Sequence, residues 1–345
     1  MKNIWNKSIP FPDFSQIETI RGAKYITVHT AREDGYHFSL GAAIIKHKGI
    51  LRVSFSNSWR KENDDLTILA EKYSTDSGNT WHDNIIAKNE SGLGRSHGVY
   101  FEKDGELYVF CPVAEFDRID RYPGLKTEAY KLCGRGEYES LGVVLPGDFW
   151  PMCEPIVLND GKLLMAGLET DQAQAAVALC GGEDITKWEM KIIPNPNQFK
   201  YWGETTVIAY PDRLIAFVRG SNGIGSILVS ESRDGGNSWS GLEESDFPIA
   251  NSKMYGGTLS NGLKYLAFNI KDRGYRDTLA LAIGKDSFEK LYLLRDGFDA
   301  PPRFRKQNMW CYPYAFEDTE TRTLYIAYSK NKEDCEMIAI PTENL

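Results

Sequence analysis

The chain has 345 residues, 42% of them hydrophobic and 26% charged, with a net charge of −8. That balance belongs to an ordinary globular protein and argues against nucleic acid as the main partner, since phosphate binding needs a basic patch. It leaves room for an anionic sugar, which a few local arginines can bind.

The N-terminal stretch MKNIWNKSIPFPDFSQ lacks the apolar run of a signal peptide. The chain as given therefore reads as cytoplasmic, or as secreted or periplasmic if such a peptide has been removed. No segment approaches the roughly 18 consecutive apolar residues of a membrane span, so no membrane partner is expected. The first strand pattern is TIRGAKYITVHTA, from Thr19. After it a unit recurs: an alternating strand, a tight turn, a second apolar strand. It starts HFSLGAAIIKHKGILRVSFSN at His37, SHGVYFEKDGELYVFCP at Ser96 and CEPIVLNDGKLLMAGLE at Cys153. It returns as GETTVIAYPDRLIAFVRG at Gly203, YGGTLSNGLKYLAFN at Tyr255 and CYPYAFEDTETRTLYIAYS at Cys311. The turns HKG, KDG, NDG, PDR and SNG are hairpin chemistry. The spacing of about 50 to 60 residues fits one propeller blade per unit. The expectation is an all-β, six-bladed β-propeller occupying residues 1–345 as a single domain, with a seven-bladed ring as the alternative. The sixth unit runs out after three strands, and the strand from Thr19 is expected to supply its outer edge and close the ring.

Two eight-residue segments share the pattern S-x-D-x-G-x-[ST]-W: Ser74 to Trp81 and Ser232 to Trp239. Asp76 and Asp234 can cap a tight turn through their side chains. Gly78 and Gly236 permit positive φ. Trp81 and Trp239 can plug the space beneath neighbouring strands. Weaker versions appear as GEDITKW at Gly182 and GKDSF at Gly284. These are turn devices, and they carry no chemistry of their own.

In a propeller the functional rim lies where each first strand begins and each second strand ends. Chain order puts Asn57, Trp59, Arg60, Glu62, Asp64 and Asp65 there from the first unit. Arg95 and His97 come from the second, Glu154 and Glu169 from the third. The fourth gives Trp202, Glu204 and Arg219; the fifth, Tyr255, Asn269, Arg273 and Arg276; the sixth, Trp310, Tyr312 and Lys330. A funnel lined with Arg, Glu, His and Tyr suits a charged, hydroxylated ligand. The six cysteines are scattered, with no C-x-x-C pair, so they read as free thiols and no metal site is expected. No cofactor is expected either, and the pattern is silent on oligomeric state.

The two eight-residue segments resemble the Asp-box, or bacterial neuraminidase repeat, and the resemblance to sialidases extends to the rim. The fourth unit is similar to the sialidase stretch with a glutamate opening one strand and an arginine closing the next, which implies Glu204 as the residue orienting the nucleophile and Arg219 as a carboxylate-gripping arginine. The segment AFNIKDRGYRDTLALAIGKD resembles the one bearing another such arginine; Arg276 fits, with Arg273 as rival. CYPYAFED resembles the segment carrying the tyrosine nucleophile, which implies Tyr312. The acid is implied at Asp64 or Asp65 in KENDDLT. Sialidases open the first blade with an Arg-Ile-Pro motif, whereas HFSLGAA has no arginine; Arg60 and Arg95 are the candidates to replace it, and a uronic acid competes with sialic acid as ligand. Trp202, Tyr255, Trp310 and Glu154 are further candidate substrate contacts, and His97 is a candidate base. Three functions follow: an exo-glycosidase cleaving an acidic sugar, a lyase acting on uronic-acid linkages with His97 or a tyrosine as base, or a non-catalytic sugar-binding propeller.

Overall fold

A computed structural model describes the chain apart from residues 32–34, 118–121, 123, 135, 222, 271–275, 299–300 and 305–307. The described strands form six separate sheets, which settles the blade count at six. Blade one is Phe38–His47, Ile50–Ser58, Ile68–Ser74 and His82–Ala87. In blade two the innermost position is split between Gly94–Arg95 and Val99–Lys103, both paired with Glu106–Ala114. Blade three is split in the same way, Phe149–Pro151 and Ile156–Val157 both pairing with Leu163–Glu169. Blade four runs Tyr201–Ala209, Leu214–Gly220, Ser226–Ser232, Glu243–Pro248, and blade five begins Tyr255–Thr258, Lys264–Phe268. Blade six holds Trp310–Asp318, Thr323–Lys330 and Asp334–Pro341, and Lys24–His29 pairs antiparallel with the last of these, Lys24 opposite Ala339. Among the described residues no helix is long and apolar enough to cross a membrane.

The burial pattern explains the sequence pattern. Middle strands such as Leu214–Gly220 and Thr278–Gly284 are buried at every position, because both faces of a blade pack against the blades beside it. They therefore read as continuous apolar runs. Outer strands such as Glu189–Ile192 are exposed or half-buried at every position and mix polar with apolar residues. The hydrophobic core is thus a set of inter-blade layers, from Val53 and Phe55 round to Ile326 and Met337.

The Asp-box turns join the third and fourth strands of blades one and four. Asp76 accepts from Thr80 N at 2.8 Å, Thr80 Oγ1 at 2.7 Å and Ser74 Oγ at 2.7 Å; Asp234 repeats the set with Ser238 and Ser232. Gly78 at φ +89° and Gly236 at φ +86° sit where a Cβ would strike the preceding blade, at Met337 and Leu164 respectively. The weaker copy at Gly182 is wired over shorter spans: Asp184 accepts from Thr186 N, two residues on, at 3.0 Å, and Cys180 Sγ accepts from Gly182 N, also two residues on, at 3.4 Å.

Candidate active site

A cavity of roughly 1230 Å³ opens where the first strands meet, and side chains from all six blades or the loops between them line it. Three of those first strands carry a break in register on their way in. In blade four the pairing jumps from Tyr201–Gly220 to Thr205–Val218. Gly203 takes φ +72° there, and a Cβ on it would fall 2.7 Å from the backbone of Gln174. In blade one the break follows Leu40, and Gly41 takes φ +65°, with a Cβ meeting the His97 ring at 2.1 Å. In blade six the break lies between Cys311 and Tyr314, and the residue with positive φ, +56°, is Tyr312 itself. Bulges re-aim side chains beside active sites. A tyrosine in a conformation that favours glycine is strain of the kind that persists at functional sites.

The bulges bring the centre together. Tyr312 Oη donates to Glu204 Oε1 at 3.0 Å, across 108 residues of chain. Arg219 Nη1 donates to Glu204 Oε2 at 2.6 Å. Asn251 ties the two arginines: its Oδ1 accepts from Arg219 Nε at 2.7 Å, and its carbonyl accepts from Arg276 Nε at 3.1 Å and Nη2 at 2.8 Å. Burial pushes the Glu204 carboxyl up, but Arg219, Arg276 and the Tyr312 hydroxyl outweigh it and hold it below the usual carboxylate range. Burial, reinforced by the Glu204 charge, puts the Tyr312 phenol well above its ordinary value. Trp202 is 48% exposed and stacks over Arg219, 5.5 Å from guanidinium carbon to ring centroid.

His97 also faces the cavity. It is buried, its ring 5.8 Å from that of Tyr312 and 5.0 Å from that of Trp150. Burial is the main cause, with the Lys253 and Lys332 charges, of a pKa lowered to about 3, against an opposing pull from Glu204; the imidazole is neutral. Ser96 Oγ donates to Asn63 Oδ1 at 2.6 Å, so it is an acceptor towards His97 Nδ1, 3.4 Å away. That leaves the His97 Nε2 lone pair, which has no hydrogen-bond partner among the described residues.

The cavity thus collects Tyr312, Glu204, Arg219, Arg276, His97 and Trp202. Other candidates are placed elsewhere. Asp64 is fully buried and caps its own loop, accepting from Arg60 N at 2.8 Å and Leu66 N at 2.9 Å. Asp65 accepts from Asp117 N at 3.0 Å. Neither lines the cavity; Glu62 of the same loop does. Arg60 turns outward to Asp117. Arg95 is used up inside blade two by Leu93 O, Glu128 and Tyr130. Neither replaces the arginine missing from HFSLGAA. Glu154 and Tyr255 bond to each other at 2.5 Å, and Glu154 borders a separate small void with Cys153. Trp310 is buried between Arg295 and Tyr328, its Nε1 donating to Gly297 O at 2.9 Å. Glu169 caps the turn at Asp171 and Gln172. Asn269 holds Thr278 O and Trp310 O. Arg273 lies outside the described residues.

Two residues escape the sequence reading. Asn251 lies in a loop between blades, outside every hairpin, and nothing in its surroundings marks it. Lys332 lies in the last hairpin turn of blade six, reaches the cavity and pairs with Glu62 at 2.5 Å. Among the described residues, no three His, Cys, Asp or Glu side chains are grouped to hold a metal ion.

Six four-to-five-stranded blades, Asp-box turns and a rim cavity define a sialidase-like β-propeller. The model of the BNR repeat-like domain matches residues 151–326, and the chain belongs to that family. No curated protein matches it. Among solved structures it is similar to Trypanosoma rangeli sialidase in complex with sialic acid: 15% identity and a TM-score of 0.69, over 94% of this chain and 60% of that one. It is similar to the K499G mutant of NanB sialidase from Streptococcus pneumoniae at 11% identity and a TM-score of 0.69, covering 93% of this chain and 71% of that one. A Dyadobacter fermentans protein of unknown function matches at 14% identity and a TM-score of 0.69, covering 93% of this chain and 100% of that one. The chain spans about three-fifths of the trypanosomal sialidase, and at these identities the likeness is one of fold.

Proposed function

We propose that the chain is a glycoside hydrolase of sialidase type that cleaves a terminal acidic sugar through a covalent intermediate on Tyr312. The observation that carries this is the 3.0 Å hydrogen bond from Tyr312 to Glu204, with Arg219 on the other carboxylate oxygen, inside a large rim cavity. Tyr312 Oη attacks the anomeric carbon and passes its proton to Glu204. A phenol is neutral until that moment, so it does not repel an anionic substrate. Glu62, after taking up a proton from solvent, gives it to the leaving oxygen. It is the carboxylate of the 59–67 loop that faces the cavity, whereas Asp64 is committed to that loop's backbone. Water then releases the sugar from the tyrosine.

The electrostatics supply a gate. In the empty site the arginines keep Glu204 a weak base. A substrate carboxylate seated on Arg219 and Arg276 offsets their field and raises the basicity of Glu204, so the nucleophile is activated when an acidic sugar is bound. The cavity runs outward past Trp202, Tyr201, Gln174, Asn195 and Gln198; aromatic and amide side chains of this kind suit the neutral sugars of a leaving saccharide.

A second reading, β-elimination across a uronic-acid linkage, is favoured by the neutral His97 with its unpartnered Nε2. Product analysis separates the two on a panel of sialosides and uronosides. Hydrolysis yields a reducing sugar alone, elimination adds the ultraviolet absorbance of a new double bond, and a binding protein yields neither. Hydrolysis that vanishes in Tyr312→Phe is the expected result; hydrolysis that survives it removes the nucleophile.

A further inference from the structure

We infer that Lys332 binds the substrate carboxylate, supplying from blade six the third cation of the pocket; this rests on the acidic-sugar reading above. Among the charged residues lining the cavity, Arg219, Arg276, Lys332 and the exposed Lys200 stand against Glu204 and Glu62, with His97 and Tyr312 neutral. Even with Glu62 ionised, cations outnumber carboxylates there, in a chain whose net charge is −8. That surplus suits an anionic ligand. Lys253 and Glu154 are not among the lining residues and offset one another.

The placement of Lys332 is built. It occupies the turn between Thr323–Lys330 and Asp334–Pro341, with φ +58° at Asn331 and +57° at Lys332. Turns of this backbone favour glycine at the second position, so a lysine there carries a cost. The turn is pinned from several sides. Asn331 N donates to Met309 O at 2.7 Å, and Asn331 Oδ1 accepts from Met309 N at 3.0 Å. Ser39 N donates to Lys332 O at 2.9 Å. That last bond fastens the lysine to the strand Phe38–His47, whose entry HFSLGAA carries no cation of its own. The side chain is buried, and its Nζ lies 5.4 Å from the ring centroid of Tyr312, with the Arg276 guanidinium carbon 6.0 Å from the same ring. Two cations therefore attend the ring whose hydroxyl is the proposed nucleophile. An ammonium has three donors, and Glu62 takes one.

The test is equilibrium binding of N-acetylneuraminic acid and of glucuronic acid to the full chain, each compared with its methyl ester, which keeps the sugar and removes the charge. Wild type should prefer the acid. Lys332→Met should lower affinity for the acid roughly ten- to a hundredfold, the range for loss of one charge-assisted bond, and leave the ester unchanged. Lys332→Arg should keep most of the preference, which a purely structural role does not require. The Lys332→Met, Glu62→Gln double variant leaves no unpaired carboxylate and gives the same comparison if the single variant fails to fold. Acid preference intact without Lys332 but lost in Arg219→Gln overturns the assignment and spares the acidic-sugar reading. No acid preference in wild type, for either sugar, overturns both.

Discussion

Taking the pH from 7.5 to 5 should cost the fold about 2 kcal/mol through His97 alone. The unfolded imidazole has an ordinary value near 6.5, whereas the buried one, beside Lys253 and Lys332, is held at about 3. Because the folded value is the lower one, the stabilisation is fully present above pH 6.5. It drains away as the pH falls towards 3, the unfolded chain taking up a proton that the folded chain refuses. At about 1.4 kcal/mol per pH unit, the stretch from 6.5 to 5 removes about 2 kcal/mol. The window is clear of Asp76, whose carboxyl is lowered to about 2 from an ordinary 3.8 by hydrogen bonds from the Thr80 backbone and side chain, then Ser74. Urea unfolding at pH 7.5, 6 and 5, on wild type and His97→Gln, gives the number: wild type should lose about 2 kcal/mol more than the variant over this range. Equal losses would mean that His97 is protonated in the folded pocket, and the neutral, proton-accepting imidazole described above would have to be given up.

Three further outcomes are expected. Gly203→Ala should destabilise by about 1–3 kcal/mol and abolish turnover, because a Cβ at φ +72° meets the Gln174 backbone; a melting temperature equal to wild type would show the bulge to be dispensable. Arg219→Gln should move the acid limb of kcat/KM to higher pH, since it removes the largest influence holding Glu204 down while its burial remains; an unmoved limb would mean that the limb is not Glu204. Asp76→Ala and Asp234→Ala should lower the melting temperature yet keep kcat/KM within about twofold, because neither box lines the cavity and surface turns act on stability; normal stability with lost turnover would contradict that.

The fold is legible in the sequence because a blade repeats its own physics. Middle strands buried on both faces read as apolar runs, and the turns between them need glycine or asparagine chemistry. Register also carries Glu204, Arg219 and Tyr312 to the rim. It does not say which way a rim side chain turns. Trp310 starts its strand as Tyr312 nearly does, yet the bulge that turns Tyr312 inward leaves Trp310 stacked with Arg295. Asp64 and Glu62 share a loop, and the backbone caps that consume Asp64 are visible only in three dimensions. Lys332 escapes because hairpin turns are expected to hold glycine or asparagine, and Asn251 because its loop has no period to place it. The arginine missing from HFSLGAA is conspicuous in the sequence; the cation bonded to that strand comes from about 290 residues further along, through a hydrogen bond that no pattern records.

The central claim is that Tyr312 bonds covalently to an acidic sugar. Quenching the full chain with 2,3-difluorosialic acid, and separately with a 2-fluoro glucuronosyl fluoride, then sequencing the peptides by mass spectrometry, tests it directly. The account predicts a glycosyl adduct with at least one of the two, on Tyr312 and absent from Tyr312→Phe. An adduct on another residue, or none with either reagent while the chain turns over the parent glycoside, would contradict it.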